Sequence, residues 1–114
     1  MISVCMATYN GEKYIERQLD SILAQLKEND ELIISDDGST DRTAEILARY
    51  GTDKRIRILH GSFHSPIYNF ENAIKQAQGD YIFMADQDDI WLPGRITETL
   101  KMHEQGIDLV ICKA

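Results

Sequence analysis

The chain has 114 residues, 43% of them hydrophobic, which suits one domain with a single core and is too short for two. Acidic residues outnumber basic ones by 19 to 12, and the formal net charge of -7 argues against binding to the phosphate backbone of nucleic acid. No apolar run approaches the length that spans a bilayer. We therefore expect one soluble, cytoplasmic domain over residues 1–114, with any contact at the inner face of the membrane made by parts beyond this chain.

Apolar runs that predict strands alternate along the chain with amphipathic stripes that predict helices. The predicted strands cover residues 2–8, 31–35, 55–59, 81–85 and 107–112. The predicted helices cover residues 12–26, 41–50, 66–78 and 93–105. The third strand alternates basic with apolar residues, as an edge strand does, whereas the fourth is continuously apolar, which predicts burial on both faces. Cys5 and Cys112 lie in such apolar runs and are predicted to be buried, reduced thiols.

The βαβαβαβαβ order of these elements predicts an α/β fold, a mostly parallel sheet with helices on both faces. In open sheets of this type, ligands bind outside the carboxyl ends of the strands, where the strand order reverses. Three polar loops follow predicted strands and should meet at this edge: residues 8–10, 36–39 and 86–89. We expect the binding site there.

The loop after the fourth strand carries three carboxylates within four positions, those of Asp86, Asp88 and Asp89. Two unit charges about 4 Å apart repel by roughly 4 kcal/mol at an effective dielectric constant of about 20, so a positive group must offset the repulsion. Carboxylate oxygens suit a hard divalent cation such as Mg²⁺ or Mn²⁺, which would also hold a diphosphate against this acidic chain. The alternative is that the acids solvate the loop and cap the helix beginning near Pro93.

Asp36 and Asp37 follow the second strand, at the same predicted edge. A carboxylate can accept a hydrogen bond from the ring N–H of uracil or thymine, and Tyr9 on the neighbouring loop could stack on the base. Two alternatives stay open. The following helix could be capped by Asp36, Ser39 or Asp41. Tyr9 could pack against the second loop instead of against a ligand.

Other conspicuous residues favour structural roles. Trp91 is predicted to anchor the core or its rim. His60, His64 and His103 have no metal-ligand spacing with one another or with a cysteine, so we expect solvated or packed side chains rather than a zinc site. The sequence contains neither a Walker A pattern nor G-x-G-x-x-G nor G-x-S-x-G, which excludes the common phosphate-loop, dinucleotide and nucleophile-elbow motifs.

Four segments together resemble one family: residues 3–10, 32–41, 72–82 and 86–89 look like the amino-terminal half of the GT-A, family 2 glycosyltransferases. The likeness covers essentially the whole chain, and four motifs in family order are far more specific than one D-x-D. It implies a Rossmann-like nucleotide-diphospho-sugar transferase fold and an enzyme that inverts the anomeric centre with Mg²⁺ or Mn²⁺. The stretch 86–91 is similar to a variant common among bacterial rhamnosyltransferases and related cell-surface polysaccharide enzymes.

The resemblance implies roles for residues of the first two loops. Thr8 and Tyr9 would line the base pocket. Asp37, with Asp36 beside it, would accept a hydrogen bond from the pyrimidine ring. The expected donor is therefore a UDP- or dTDP-sugar.

It also implies roles for the acids of the third loop. Asp88 would contact the ribose or the sugar, and Asp89 would ligate the metal together with Asp88. Asp86 would shape the loop or touch the donor sugar. The acceptor is expected to be a saccharide or a lipid-linked molecule.

The family's general base and acceptor pocket lie in its carboxyl-terminal half, beyond residue 114. We therefore expect this chain to bind donor and metal but to transfer sugar poorly or not at all. The apolar strand predicted at residues 107–112 could lie at a sheet edge, and self-association of the chain is expected there.

Three other classes of protein share part of the pattern. A haloacid dehalogenase-type phosphatase also places D-x-D after a buried strand, as at Asp86 and Asp88, but its remaining acids come from later strands, whereas Asp36 and Asp37 lie upstream. A receiver-type phospho-acceptor domain has this length and element order, with an acid pair after the first strand, where residues 8–10 stand here. A non-enzymatic interaction module is the third alternative.

Overall fold

The computed structural model describes residues 1–86, 91, 94–97 and 100. Its strands are β1 (Ile2–Thr8), β2 (Glu31–Asp36), β3 (Ile56–His60) and β4 (Tyr81–Asp86). Its helices are α1 (Ile15–Leu23), α2 (Thr43–Tyr50) and α3 (Pro66–Ile74). Residues 95–97 and 100, inside the predicted fourth helix, are helical. The predicted fifth strand, His103 and Cys112 lie outside the described residues.

The four strands form one parallel sheet in the order β3-β2-β1-β4. From β1 the chain moves through β2 to β3 on one side and then returns to place β4 on the other, so the strand order reverses between β1 and β4. Receiver domains instead have the order 2-1-3-4-5, with β3 beside β1, and the receiver alternative is therefore wrong. The predicted edge position of the third strand is confirmed.

Helices cover both faces of the sheet, as the element order predicts. Successive strand residues point to opposite faces, so Val4 and Met6 pack on one side and Cys5 on the other. α1 and α2 bury the first face, and α3 covers the second with Ala73 against Cys5 and Ile33. The larger core comprises Val4, Met6, Leu32 and Ile34 of the sheet with Ile15, Leu19, Ile22, Ile46 and Leu47 of the helices.

Cys5 is a buried free thiol, as predicted. Burial raises the pKa of Cys5 to about 12, and the negative charge of Glu31 adds to the effect. Trp91 is also buried, with its ring centroid 5.9 Å from that of Phe83 and its backbone N–H donated to Ser21 Oγ at 3.0 Å. The predicted role of Trp91 as a core anchor is confirmed.

α1 is shorter than predicted at both ends. It begins at Ile15 because Gly11 closes a turn whose carbonyl accepts from the N–H groups of Tyr14 and Ile15 at 3.0 and 2.9 Å. It ends at Leu23, whose carbonyl accepts from the Arg55 guanidinium at 3.1 Å. An arginine from the segment before β3 thus caps a helix end that carries no basic residue of its own.

The other boundaries shift for similar local reasons. α2 begins at Thr43 instead of residue 41 because Asp41 Oδ1 accepts from the Thr43 N–H at 2.9 Å. α3 ends at Ile74 instead of residue 78 because the next turn has the tighter i→i−3 bonds, including Ala77 N–H to Ile74 O at 3.1 Å. β2 and β4 each run one residue further than predicted, and β3 is displaced by one residue.

β4 is not buried along both faces, so that expectation is wrong for its first two residues. Tyr81 is exposed and Ile82 retains 42% of its accessible surface, whereas Phe83 and Ala85 are buried. Ile82 lies on the face that α3 covers, and α3 packs against β1 and β2. Within the described residues, no helix is long and apolar enough to cross a membrane.

Candidate nucleotide-binding site

Asp36 lies beneath the carboxyl-end edge of the sheet and braces its two central strands. Thr8 Oγ1 donates to Asp36 Oδ1 at 2.6 Å, directly across the β1–β2 register. Ser39 donates its hydroxyl to Oδ1 at 2.6 Å and its backbone N–H to Oδ2 at 3.0 Å. Thr8 and Asp36 are both buried. Their side chains therefore connect β1 to β2 at the edge where the sequence predicts the base pocket.

Asp37 binds a loop distant in sequence. Its backbone N–H donates to the Thr8 carbonyl at 3.0 Å, which turns its side chain away from β1. Its Oδ1 accepts from the backbone N–H groups of Phe63 and of His64, the latter at 3.1 Å, and its Oδ2 accepts from the Ser65 N–H at 3.1 Å. A carboxylate offers about four acceptor positions, so about one position on Oδ2 remains. Asp37 as a whole residue retains only 9% of its accessible surface.

The pKa of Asp37 lies below its usual range. Burial raises this pKa, but the three backbone N–H groups of Phe63, His64 and Ser65 together lower it by more, and the charge of His64 adds to the lowering. The carboxylate is therefore ionised at neutral pH and acts only as an acceptor. A ring N–H of a base that donates a hydrogen bond to this carboxylate requires it in this ionised state.

Short hydrogen bonds connect the loop after β1 to the loop after β2. Asn10 accepts from the Thr40 N–H at 2.8 Å and donates its own N–H to Ser39 Oγ at 2.9 Å. The Gly11 N–H donates to Thr43 Oγ1 at 2.8 Å. Asn10 has φ +48°, in the left-handed region that asparagine tolerates better than most residues. These bonds therefore tie the loop after β1 to the loop after β2 and to the start of α2.

The structure bears on two of the alternatives that the sequence left open, helix capping and the position of Tyr9. The N-cap residue of α2 is Arg42, which makes no side-chain cap hydrogen bond. Asp41, one residue earlier, accepts from the Thr43 N–H, whereas Ser39 donates its hydroxyl to Asp36. Tyr9, which the sequence predicts at the base pocket, lies at the rim with 54% of its surface exposed. Its ring is thus accessible to a ligand.

α3 contributes residues that the sequence analysis missed. Asn69 is buried and donates Nδ2 to the Thr8 carbonyl at 3.1 Å, and Asn72 donates Nδ2 to Ser35 Oγ at 3.0 Å. Within the described part of the chain, Asn69 Oδ1 has no hydrogen-bond partner. The spacing of three residues places both amides on one helix face, but no local signal indicates which strand residues they meet.

The third predicted loop is described only at its start. Asp86 ends β4 opposite Ala7 of β1, which places Asp86 at the strand-order reversal. Asp88 and Asp89 lie outside the described residues. Among the residues that are described, no three histidine, cysteine or acidic side chains are grouped closely enough to hold a metal ion.

The opposite edge of the sheet also has an opening. A cavity of about 400 Å³ lies at the amino ends of the strands, with Ile2, Lys27, Asp30 and Tyr81 among its lining residues. None of the predicted site residues lines it. This cavity therefore lies at the edge of the sheet opposite the predicted site.

Comparison with known proteins identifies the family of the chain. The model of glycosyl transferase family 2 matches residues 3–114. Glycosyltransferase GlyG of Streptococcus pneumoniae is 37% identical over 115 residues, covering 97% of this chain and 38% of that protein. UDP-Glc:alpha-D-GlcNAc-diphosphoundecaprenol beta-1,3-glucosyltransferase WfgD of Escherichia coli is 32% identical over 103 residues, covering 90% of this chain and 40% of that protein.

A solved structure shares the architecture. TarS 1–349 of S. aureus, crystallised in complex with UDP-GlcNAc, superposes with a TM-score of 0.80 at 27% identity, covering 91% of this chain and 31% of that one. The chain thus spans less than half the length of each of these proteins. Its parallel sheet has the GT-A fold that the sequence predicts. The chain belongs to glycosyl transferase family 2.

Proposed function

We propose that this domain binds a nucleoside diphosphate sugar, with uracil or thymine as its base, at the carboxyl-end edge of the sheet. The observation that carries the proposal is the ionised Asp37 carboxylate, which keeps about one acceptor position at the end of β2, beside the β1 loop. Support also comes from two relatives: WfgD is named for UDP-Glc, and TarS was crystallised with UDP-GlcNAc.

The remaining acceptor position favours one kind of base. Uracil and thymine each have a single ring N–H between two carbonyls, and that N–H can donate to Asp37 Oδ2. Guanine presents two adjacent N–H donors and would leave one of them without an acceptor. Cytosine presents an unprotonated ring nitrogen, which the carboxylate would repel.

A divalent cation fits the chemistry of the third loop. The chain has a net charge of -7, so an anionic diphosphate needs a positive partner, and carboxylate oxygens suit Mg²⁺ or Mn²⁺. Asp88 and Asp89 would hold this ion, and Asp86 would lie next to the donor sugar at the end of β4. When bound, the ion would neutralise charge on the departing diphosphate.

The reaction is a direct displacement with inversion. The acceptor oxygen forms a bond to the anomeric carbon while the bond from that carbon to the diphosphate breaks, and the acceptor proton passes to a general base. The described residues bind and orient the donor, and neither the base nor the acceptor pocket is assigned to them. The acceptor is a saccharide or lipid-linked saccharide of a bacterial cell surface, and the donor is taken from the cytoplasm. The name of WfgD supports a lipid-linked acceptor.

Calorimetric titration tests the proposal. The chain should bind UDP and dTDP in the presence of Mn²⁺, more weakly without the metal, and bind GDP and CDP at least about 10-fold less tightly. Asp89→Ala should remove the effect of the metal, whereas Glu28→Gln, a change at an exposed position, should leave binding unchanged. Equal affinity for all four nucleotides would contradict the role of Asp37. Absence of binding with Mn²⁺ present would contradict the donor site itself.

A further inference from the structure

Residues 61–65, which we name the 61–65 loop, connect β3 to α3 and close over the end of β2. The Gly61 N–H donates to the Asp36 carbonyl at 3.0 Å, and the N–H groups of Phe63, His64 and Ser65 all bind the Asp37 carboxylate. The loop and the acid are therefore parts of one site. All three of these N–H groups are used by Asp37 and are not available to a base.

The backbone of the 61–65 loop is restricted at two positions. His64 has φ +52°, in the left-handed region that few non-glycine residues adopt, histidine being one of the types enriched there. A Cβ on Gly61 would lie 2.3 Å from Cε2 of Phe63, so only glycine lets this ring fold back over the start of the loop. Strained residues of this kind concentrate at ligand sites, where the surrounding structure enforces them.

Two exposed polar side chains of the loop form a pair. Ser62 Oγ and His64 Nε2 lie 3.2 Å apart, and both residues are exposed. The backbone N–H of His64 donates to Asp37 Oδ1 at 3.1 Å, so the pair belongs to the loop that binds this carboxylate. If Nε2 accepts from the serine, Nδ1 carries the N–H, and if Nε2 donates, the serine hydroxyl is free to donate elsewhere. In both tautomers the pair offers one donor to a ligand.

We infer that the Ser62–His64 pair contributes to recognition of the base by donating a hydrogen bond to a base carbonyl next to the ring N–H that donates to Asp37. The inference rests on the proposed function, because it needs a uracil-type base at Asp37. In uracil and thymine the ring N–H lies between two carbonyls, so a base that reaches Asp37 brings a carbonyl to the groups around that acid. Ser62 and His64 are the exposed residues of the loop that carry side-chain donors, whereas Ser65, whose hydroxyl oxygen accepts from the Tyr68 N–H, is only partly exposed.

The test uses variants that keep the backbone of the loop. His64→Gly removes the ring and adopts φ +52° without strain, and His64→Asn keeps both a tolerated left-handed backbone and a side-chain donor. In the presence of Mn²⁺, His64→Gly should weaken UDP binding roughly 3- to 10-fold, the range of one hydrogen bond, and His64→Asn should restore most of the loss. His60→Gln, at the exposed end of β3, is the matched control and should bind as the wild type does.

Analogues of the base separate recognition from a purely structural role. Replacing either carbonyl oxygen with sulfur, in 2-thio-UDP and 4-thio-UDP, weakens that acceptor, so one analogue should bind the wild type less tightly than UDP. His64→Gly should bind this analogue and UDP equally. Ser62→Ala should reduce the same difference, and it provides a second variant if His64→Gly does not fold.

The outcomes distinguish the inference from the proposed function. Suppose that the wild type binds UDP, and that His64→Gly and Ser62→Ala bind UDP and its thio analogues as the wild type does. This result would overturn the inference and leave the proposed function intact. If neither the wild type nor the Asp89→Ala variant binds UDP, both the inference and the proposed function are overturned. Loss of UDP binding in His64→Gly with no change in discrimination between UDP and its thio analogues would show a structural role and would also overturn the inference.

Discussion

Asp36 and Asp37 are neighbours in sequence, yet their carboxylates have different partners. Asp36 binds residues within its own and the adjacent loop, whereas Asp37 binds backbone groups 26–28 residues away. The sequence predicts that both acids lie at the edge of the sheet, because both follow an apolar strand. The pattern of strands and loops does not predict which acid braces the sheet and which binds the 61–65 loop, because the choice depends on the path of that loop.

Replacing Asp37 with asparagine should destabilise the chain. The amide nitrogen would face backbone N–H donors, and we expect a loss of about 1–3 kcal/mol in the free energy of unfolding at neutral pH. The folded-state pKa of Asp37 is lowered, so its stabilising effect is fully present above the ordinary aspartate pKa of about 3.9 and is lost as the pH falls through the folded value. Urea denaturation at several pH values measures the difference between wild type and variant.

This difference should be constant from about pH 7 to about pH 5 and should narrow below about pH 4. Glu28→Gln serves as the control, because Glu28 is exposed and the same charge is removed without a backbone contact. A difference that persists unchanged at about pH 3 would show that the ionised form of Asp37 does not hold the 61–65 loop.

The ends of the secondary-structure elements depend on contacts that are remote in sequence. Arg55 caps the carboxyl end of α1, with its guanidinium 3.1 Å from Leu23 O and 2.9 Å from Leu26 O. The apolar stripe of α1 predicts the helix. The stripe continues past Leu23, however, where backbone carbonyls accept hydrogen bonds from Arg55. Strand positions are predicted more closely, because apolar runs end at polar loops that remain exposed.

The segment between α3 and β4 requires a glycine at position 79. Replacing Gly79 tests how much this requirement contributes to stability. A Cβ on Gly79 would lie 2.6 Å from Ser3 Oγ and 2.7 Å from Ser3 N, and the backbone of β1 cannot move away cheaply. Gly79→Ala should cost about 1–3 kcal/mol in the free energy of unfolding, measured by thermal or urea denaturation.

Gly51→Ala provides the matched control. Its Cβ would approach Ile58 Cδ1 at 3.3 Å, and the end of a flexible side chain can move by a few tenths of an ångström. We expect a cost below about 1 kcal/mol. Equal losses in the two variants would mean that the close approach of β1 to Gly79 does not limit stability.

The architecture of the whole chain was largely predictable, and its strand order was not. Alternating strands and helices indicate a parallel sheet, because each parallel strand needs a crossover. The same alternation fits receiver domains, and the pairings of β1 with β4 and of β2 with β3 separate the two folds. The family match then replaces the phosphatase and interaction-module alternatives with a glycosyltransferase. The roles of Asp88 and Asp89 stay predictions, since they lie outside the described residues.

The central claim is that the ligand binds at the carboxyl ends of the strands. Amide chemical-shift mapping of the labelled chain, titrated with UDP and Mg²⁺, compares the two edges of the sheet directly. We predict the largest shifts at residues 9–11, 37–39, 61–65 and 86–89, and little change around the cavity of about 400 Å³ that includes Ile2, Lys27 and Asp30. Shifts concentrated at that amino-end cavity, or no shifts at saturating UDP and Mg²⁺, would contradict the account.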